Sequence, residues 1–397
     1  MICFDEAAAI IARVAKPLPP EQESLDEADG RVLARAVVAE FASPPAPTSA
    51  MDGYAVRESD IAELPVTLEV IGASYAGTGF EETLRPGICA RIFTGAPLPP
   101  GADRVVVQEE VTSEDGKAQF TLPLSPRRHI RETGCDFKAD EELLPAGVVL
   151  NPQRLVAVAA ADRAFVEVVR RPRVALIACG DELVPAGEKN GRADKIADSL
   201  SPAITALVRR WNGVVIARWL SSDDLANLQK IAADAVTDAD VVVVVTGGAS
   251  VGEKDFAKTM FAPLGLEFHF NKVAIRPGKP VWFGAAASQT LIMGLPGNPT
   301  SALVTARLFL APLLAGLSGR SPQSAWQWEE KGLAAPLDAG GERENFLKAQ
   351  AQGALLHPAA NQDSAAQKAL TLTDFLIWQK PGEASRAMGD LVQALPF

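Results

Sequence analysis

Strand-like and helix-like patterns alternate along the chain between residues 174 and 317. The clearest strand is a run of five valines at 241–245, bounded by Gly-Gly, which predicts a short strand buried on both faces. Apolar residues three and four positions apart predict helices between such runs. This alternation predicts βαβ units with right-handed crossovers and a mainly parallel sheet. The predicted strands are 174–178, 214–218, 241–245 and 290–293, and the predicted helices are 201–211, 224–236 and 300–315.

The segments before this region carry different patterns. Residues 1–45 hold apolar positions at helical spacing, first after the possible cap Asp5 and again over 24–38, and both stretches predict helices. A proline-rich stretch at 43–48 then marks a linker. Short β-prone runs separated by glycine and proline turns follow, and they predict a small all-β module inserted into its neighbour. The predicted strands of this module are 66–71, 88–93, 104–108 and 119–122, and a further helix is predicted at 155–163.

The end of the chain is again β-prone, at 346–348 and 371–379, which predicts a last small domain. We therefore predict an α/β multidomain protein with a mainly parallel sheet in its third domain. The predicted domains are a helical N-terminal and linker domain at 1–45 and 146–172, an inserted β-rich domain at 46–145, an α/β domain at 173–317 and a C-terminal β domain at 318–397.

Length and charge restrict the function of such a protein. The 397 residues are enough for two to four domains of ordinary size. The net charge of −11 argues against a nucleic-acid partner, because phosphate contacts require clustered Lys and Arg. No uninterrupted apolar run approaches the ~18 residues of a membrane span, and the chain does not begin with a secretory signal. We therefore expect a cytoplasmic protein without a membrane partner.

Cysteine and histidine are too sparse for the chemistry they usually carry. The four cysteines form no Cys-x-x-Cys pair, so neither a zinc site nor a disulfide framework is predicted. The three histidines show no His-x-x-x-His spacing, which makes imidazole catalysis a weak hypothesis. Between residues 173 and 316 there are 14 basic and 13 acidic residues, so this region is spared the overall acidity. An anion site would prefer this distribution, but acidic residues on solvated surfaces elsewhere would account for it equally well.

Four loops follow the predicted parallel strands and should meet at one edge of the sheet. Ligands collect at this edge in open parallel sheets, and glycines there let backbone N–H groups approach a ligand. Carboxylates next to such glycines are typical of Mg²⁺ bound with a nucleotide diphosphate, although single carboxylates could equally cap helices or face solvent. The carboxylates on these loops are Asp181, Glu182, Asp223, Asp224, Glu253 and Asp255.

Two familiar phosphate-binding motifs are absent from the sequence. One serine-hydrolase motif matches the sequence but lacks well-placed triad partners. The chain has neither a Gly-x-x-x-x-Gly-Lys-Ser/Thr loop nor a Gly-x-Gly-x-x-Gly loop after a strand. The segment from Gly248 to Gly252 matches the Gly-x-Ser-x-Gly elbow, which would make Ser250 a nucleophile. A triad would also need an acid and then a histidine downstream, and both His269 and His357 are poorly placed for it. A serine hydrolase is therefore the least favoured alternative.

Seven ordered motifs make the chain similar to the molybdopterin molybdenumtransferases, the family of bacterial MoeA and the gephyrin E domain. Weaker similarity continues through Gly-Glu-Arg at 341–343 and Asn-Gln-Asp-Ser at 361–364, so the resemblance covers nearly the whole chain. The motifs are Ser-Ala-Met-Asp-Gly-Tyr-Ala-Val at 49–56, Phe-Thr-Gly-Ala-Pro at 93–97, Arg-Glu-Thr-Gly-Cys-Asp at 131–136, Gly-Asp-Glu-Leu at 180–183, Thr-Gly-Gly-Ala-Ser-Val-Gly-Glu-Lys-Asp-Phe at 246–256, Lys-Val-Ala-Ile-Arg-Pro-Gly-Lys-Pro at 272–280 and Gly-Leu-Pro-Gly-Asn-Pro at 294–299.

The resemblance implies a fold and an assembly. The third domain would have the molybdopterin-binding α/β fold, and the protein would be an elongated homodimer. The inserted β module of one subunit would face the α/β domain of the other, so that Asp52, Thr94 and Asp136 present polar groups to the partner's pocket. On residue type alone, Asp52-Gly53 would be an ordinary turn.

The resemblance also implies a reaction, in which molybdate and adenylylated molybdopterin give the molybdenum cofactor and AMP. Glu182 and Asp255 would hold Mg²⁺ with Asp223 close by, and an upstream molybdopterin adenylyltransferase would supply the substrate. The alternative is a scaffold that binds molybdopterin or nucleotide without turnover. The catalytic residues implied are Asp52, Glu182, Asp223, Asp255, Lys272, Arg276 and Lys279, and the ligand-binding residues are Thr94, Asp136, Gly180, Asp181, Ser199, Gly247, Gly248, Ser250, Gly252, Pro296, Gly297, Asn298 and Pro299.

The chain departs from the family pattern at three positions. Leu200 stands where the family commonly carries an amide, Arg276 stands where lysine is more usual, and Ser222 lies where a cation often precedes the paired aspartates. In the final domain, Arg343 and Ser364 could line the cleft or have ordinary surface roles.

Overall fold

The computed structural model describes residues 1–246 and 256–397. The chain begins with a helix whose first turn is closed by Cys3: its thiol accepts from the N–H of Glu6, and the Glu6 carboxylate accepts from the N–H of Cys3. Cys3 is thus the cap, rather than Asp5. The buried face of this helix joins the core of the α/β domain. The N-terminal elements are α1 (Phe4–Val14), β1 (Pro20–Ser24) and β2 (Val37–Val38).

The inserted module is built on a six-stranded sheet, as the β-prone runs predict. Its strand order is β7-β4-β6-β5-β9-β8, and β3 pairs with β10 in a separate ribbon. Its apolar residues form two clusters, one on each face of the sheet. The strands are β3 (Thr48–Ser49), β4 (Gly53–Val56), β5 (Val66–Ser74), β6 (Ile88–Ile92), β7 (Arg104–Val107), β8 (Val111–Glu114), β9 (Lys117–Phe120) and β10 (Ile130–Arg131).

After the module the chain returns to the N-terminal strands. The next strand pairs with β2, and the last strand of this segment pairs with β1, both antiparallel. Asn151 caps the intervening helix by accepting the N–H of Arg154 at 2.9 Å. The elements are β11 (Glu142–Leu144), α2 (Pro152–Ala160) and β12 (Phe165–Val169).

The predicted helix at 24–38 is wrong. The segment instead contains the end of β1, a short 3₁₀ turn at Leu25–Glu27 and then β2. Gly30 has φ +74°, which interrupts a helix, and buried Arg31 is held by ion pairs with Glu21 and Glu23. Pairing with residues distant in sequence has therefore overridden the local helical pattern.

The α/β domain has a mixed six-stranded sheet in the order β16-β13-β17-β21-β20-β18. The first four strands are parallel, whereas β20 and β18 are antiparallel to their neighbours. The prediction of a mainly parallel sheet therefore holds for those four strands only. The elements are β13 (Arg173–Cys179), β14 (Leu183–Val184), β15 (Ile196–Ala197), α3 (Leu200–Arg210), β16 (Val214–Ser221), α4 (Leu225–Asp238), β17 (Val241–Thr246), α5 (Phe256–Thr259), β18 (Glu267–Phe270), β19 (Ile275–Arg276), β20 (Trp282–Ala285), β21 (Leu291–Leu295), α6 (Pro299–Thr305) and α7 (Ala311–Leu317).

A helix at Pro299–Leu317 runs through the centre of the protein, with a π-helical stretch at Ala306–Leu310 joining α6 to α7. It is long and apolar enough to cross a membrane by composition, but 94% of its most apolar window is buried inside the protein. Such burial is typical of a core helix. It packs against α1 and α3, and its residues belong to the largest apolar cluster.

Five strands of the C-terminal segment form a further six-stranded sheet together with β19, which pairs with the second of the five. This pairing joins the loop of Arg276 to the last domain. The elements are β22 (Glu329–Leu333), β23 (Glu344–Gln352), β24 (Leu355–Pro358), α8 (Gln367–Leu370), β25 (Phe375–Gln379) and β26 (Leu391–Pro396). Other 3₁₀ turns lie at Glu58–Ile61, Gln108–Glu110, Ala262–Leu264 and Pro322–Ala325.

Candidate oxyanion-binding site

The carboxyl ends of β13, β16, β17 and β21 meet at one edge of the sheet, because these strands are parallel neighbours. The loops after β13, β16 and β21 lie within the described residues. The loop after β17 does not, and it contains the predicted residues Gly247, Gly248, Ser250, Gly252 and Asp255. Their predicted roles therefore stay predictions.

Asp181 joins two of the loops at this edge. One of its carboxylate oxygens accepts the N–H of Asp223 at 3.0 Å, and its carbonyl oxygen accepts from the ammonium of Lys195 at 2.6 Å. Asp224 caps α4 by accepting the N–H of Ala226 at 3.0 Å. Asp181 and Asp224 thus have structural bonds within the loops.

The carboxylate of Glu182 lies next to Gly180 in the same loop, and Glu182 lines a cavity of about 230 Å³. A Cβ on Gly180 would lie 2.8 Å from a carboxylate oxygen of Glu182, so a larger residue there would make the flexible Glu182 side chain move. Ser199 lines the same cavity, together with Asn298 and Pro299. The cavity therefore brings together predicted residues from the first and last of the described loops.

The departure at Leu200 has a packing explanation. Leu200 is the first residue of α3, is 7% exposed, and belongs to the central apolar cluster. The adjacent Asp198 accepts the N–H groups of Leu200 and Ser201 at 3.1 and 3.0 Å. Asp198 thus serves the start of this helix as a cap, and burial of the leucine side chain anchors it to the core.

A larger cavity of about 490 Å³ contains a concentration of positive charge. Three of its cations, Lys272, Arg276 and Lys279, were predicted from the sequence, and all three are exposed. Lys258 and Arg343 add two more, and Asp363 supplies the one carboxylate among the described lining residues. Five cations around a small space, against one carboxylate, are suited to a multiply charged oxyanion.

Gly278 sets the path of the loop that carries Arg276 and Lys279. Its φ is +106°, and a Cβ at this position would lie 2.2 Å from a methyl group of Thr305. Thr305 is fully buried in the core helix, where its hydroxyl donates to the carbonyl oxygen of Ser301 at 2.8 Å. The loop can therefore lie directly against this helix only with glycine at residue 278.

The loop after β21 lies between the two cavities. Gly297 and Asn298 line both of them, and Pro296 lines the larger one. The helix after this loop has Asn298 at its cap position, and no side-chain bond closes its first turn. The N–H of Thr300 instead donates to the carbonyl oxygen of Ser364 at 3.1 Å.

The C-terminal domain contributes lining residues that the sequence analysis left open or missed. Arg343 and Ser364 do line the larger cavity, and Gln362 and Asp363 lie beside them. Their only sequence signal is the short similarity at 341–343 and 361–364. Lys258 on α5 was not singled out, since a lone lysine at the start of a helix carries no distinctive pattern.

In the inserted module the structure brings two of the predicted residues together. One carboxylate oxygen of Asp52 accepts the N–H of Thr94 at 2.7 Å and its hydroxyl at 2.8 Å. Both bonds lower the pKa of Asp52, and the bond from the backbone N–H has the larger effect. Asp136 lies apart, donating its N–H to the carbonyl oxygen of Ser43 at 3.0 Å. None of the three lines either cavity within its own chain, so their role across a dimer stays a prediction.

Of the two predicted metal ligands, Glu182 and Asp255, the described residues include Glu182. Within residues 1–246 and 256–397 no group of three or more His, Cys, Asp or Glu side chains is arranged to hold a metal ion. Of the predicted pair, Glu182 faces the smaller cavity and Asp255 lies outside the described residues. Mg²⁺ commonly takes only one or two protein carboxylates and keeps several waters, so the donor chemistry of this pair fits that ion.

The fold and the cation-lined cavity are suited to an anionic ligand, and comparisons with known proteins give the family of the chain. Residues 2–161 match the family described as "MoeA N-terminal region (domain I and II)", and residues 175–316 match "Probable molybdopterin binding domain". The chain belongs to the molybdopterin molybdenumtransferase family.

Relatives of this family match most of the chain. It is 37% identical to the molybdopterin molybdenumtransferase of Haemophilus influenzae, over 83% of this chain and 80% of that protein. It is 35% identical to the protein of the same name from Nostoc sp., over 86% and 80% of the two chains. The crystal structure of a molybdopterin biosynthesis MoeA protein from Pyrococcus horikoshii superposes with a TM-score of 0.85 at 28% identity, covering 100% and 99% of the two chains.

Proposed function

We propose that this protein is a molybdenum cofactor biosynthesis enzyme that transfers molybdenum from molybdate to adenylylated molybdopterin, giving the molybdenum cofactor and AMP. The observation that carries the proposal is the 490 Å³ cavity with five cationic side chains beside the loop of Gly297 and Asn298. Family membership of the chain supports molybdopterin as the substrate class, since the relatives bear the name molybdopterin molybdenumtransferase.

The cations have two roles in this proposal. Lys272, Lys279 and Arg343 attract molybdate and hold it by charge-assisted hydrogen bonds, which are stronger than neutral ones. Arg276 presents a planar guanidinium with several donors, which suits the paired oxygens of a phosphate or an oxyanion. Because these side chains come from two domains, the ligand is bound where the α/β and C-terminal domains meet.

The smaller cavity is proposed to receive the adenylylated end of the pterin. Glu182 and Asp255 would hold Mg²⁺ there, and the bound ion would neutralise charge at the phosphoanhydride. Ser199 and Asn298 offer polar groups to the same ligand, and Asn298 reaches both cavities. The two cavities are adjacent, as a reaction between molybdate and the pterin requires.

The module residues enter the proposal through a homodimer. Asp52, held ionised by Thr94, would face the pocket of the partner subunit together with Asp136, and an upstream adenylyltransferase would hand over the pterin substrate in the cytoplasm. Contribution from the partner accounts for polar residues that line neither cavity of their own chain.

The test is to measure AMP release from adenylylated molybdopterin with Mg²⁺ in the presence and absence of molybdate. We expect release that depends on molybdate and decreases when Lys279 is replaced by methionine. Binding of the adenylylated pterin without molybdate-dependent AMP release would reject the enzyme and favour a binding scaffold.

A further inference from the structure

A short segment of the C-terminal domain, residues 361–366, contributes to the lining of both cavities and is called here the bridging loop. Gln362, Asp363 and Ser364 line the larger cavity, and Ala365 lines the smaller one. The loop also reaches the α/β domain, because the amide of Asn298 donates to the hydroxyl of Ser364 at 3.0 Å. The position of this loop therefore affects both binding spaces.

Further bonds attach the bridging loop to the first turn of the core helix. The N–H of Thr300 donates to the carbonyl oxygen of Ser364 at 3.1 Å, and its hydroxyl donates to that of Ala366 at 3.3 Å. Thr300 itself is fully buried. One end of the loop is thus fixed to the start of the core helix, beside the edge of the parallel strands.

The other side of the bridging loop is held by a buried lysine. Lys348 on β23 is only 1% exposed, and its ammonium donates to the carbonyl oxygen of Asp363 at 2.9 Å. The N–H of Lys348 donates to the amide oxygen of Gln362 at 2.9 Å, and the amide nitrogen of Gln362 returns a bond to the carbonyl oxygen of Lys348 at 2.9 Å. A single residue of β23 therefore holds two consecutive residues of the loop.

Burial of this lysine is unusual enough to need an explanation. Removing an ammonium from water costs free energy, and lysine is seldom fully buried unless it gains compensating bonds. Burial lowers the pKa of Lys348, and the nearby carboxylate of Asp363 opposes the shift. An apolar residue would fill the same space without this cost, but it would remove the charge-assisted bond to the Asp363 carbonyl oxygen and leave it the longer bond from the N–H of Ala366 at 3.3 Å.

We propose that Lys348 is a positioning residue, which holds the bridging loop so that Gln362, Asp363 and Ser364 complete the oxyanion-binding cavity. It acts from behind the cavity wall and is not among the residues that line it. This inference deepens the proposed function and rests on it for the identity of the anion. The link between Lys348 and the loop does not depend on that identity.

The experiment compares Lys348→Met with Val392→Ala in the full-length protein. Val392 is a buried core residue of the same domain, 7% exposed, so its truncation loosens packing without removing a bond to the loop. Hydrogen exchange is followed for peptides that contain Thr300 and residues 361–366. Molybdate binding is followed by calorimetry, and molybdate-dependent AMP release gives KM and kcat.

We expect Lys348→Met to speed exchange at Thr300 and in the bridging loop, and to weaken molybdate binding about tenfold, as loss of one buried charge-assisted bond would. KM for molybdate should rise by a similar factor, with kcat changing less than KM. Val392→Ala should leave the loop exchange and the molybdate affinity of the folded protein unchanged. If Lys348→Met does not fold, Lys348→Gln, which keeps a shorter donor, should show the same changes to a smaller extent.

Equal changes in Lys348→Met and Val392→Ala would overturn the proposal, since they would reflect general loosening of the domain. Unchanged exchange in the bridging loop of either Lys348 variant would also overturn it. If the wild-type protein releases no AMP, the proposed function fails, but the exchange comparison still decides whether Lys348 holds the loop.

Discussion

Gly278 offers a quantitative test of how the cation-bearing loop is held. Replacing it by alanine adds a Cβ at φ +106°, and that atom would lie 2.2 Å from the methyl group of Thr305. Unfavourable backbone conformation at positive φ costs about 1–3 kcal/mol, and overpacking of a buried site costs about 1–3 kcal/mol more. We therefore expect Gly278→Ala to reduce the free energy of unfolding by about 2–6 kcal/mol.

A matched control separates these two contributions. Gly187 lies in the same domain with φ +93°, and a Cβ there would meet nothing within 4 Å. Gly187→Ala should therefore reduce the free energy of unfolding by the backbone contribution alone, about 1–3 kcal/mol. Denaturant unfolding of both variants gives the comparison, with molybdate calorimetry as a second readout. Gly278→Ala should also bind molybdate more weakly, because displacement of its loop moves Arg276 and Lys279.

The reasoning is refuted if Gly278→Ala is no less stable than Gly187→Ala, because the contact with Thr305 would then carry no cost. It is equally refuted if Gly278→Ala is strongly destabilised but the folded variant binds molybdate with wild-type affinity. The second result would mean that the loop position does not matter for the anion.

Three further predictions concern the charges of the site. Lys279→Met should weaken molybdate binding about 10- to 100-fold and reduce its salt dependence, whereas Lys331→Met outside the cavity should leave both unchanged in calorimetry. Because its bonds to Thr94 lower the pKa of Asp52, Asp52→Asn should reduce stability at pH 7. In urea unfolding that difference should fade as the pH falls below the unfolded-state value of about 3.9 and through the lower folded pKa. Mixing Asp52→Ala and Asp255→Ala subunits should restore about a quarter of the wild-type AMP release if each site is shared, and confirmed exchange without recovery would contradict a shared site.

Local sequence patterns predicted the parallel part of the α/β sheet well. The run of β17 favours a buried strand because it consists of β-branched valines and is followed by Gly-Gly. The apolar residues of α3 and α4 recur at helical spacing, so that each helix buries one face. The antiparallel strands β18 and β20 were not predicted. Their pairing in the sheet depends on contacts that no local period reveals.

In the site, too, some residues could be predicted from a sequence motif, whereas others depend on tertiary packing. Lys272 and Lys279 could be chosen from the sequence because they lie in one of the motifs that resemble the molybdopterin molybdenumtransferases. Asp363 and Gln362 could not be chosen on chemical grounds, since the C-terminal domain brings them to the cavity through tertiary packing. The helix predicted at 24–38 failed for the related reason that strand pairing outweighed local propensity.

The central claim is that the cavity with five cations binds molybdate. Crystals of the wild-type protein soaked in sodium molybdate, with data collected at the molybdenum absorption edge, test it most directly. The account predicts an anomalous peak inside the larger cavity, within hydrogen-bonding reach of at least two of Lys272, Lys279 and Arg343. A peak only elsewhere, or no peak at a molybdate concentration that saturates binding in solution, would contradict it.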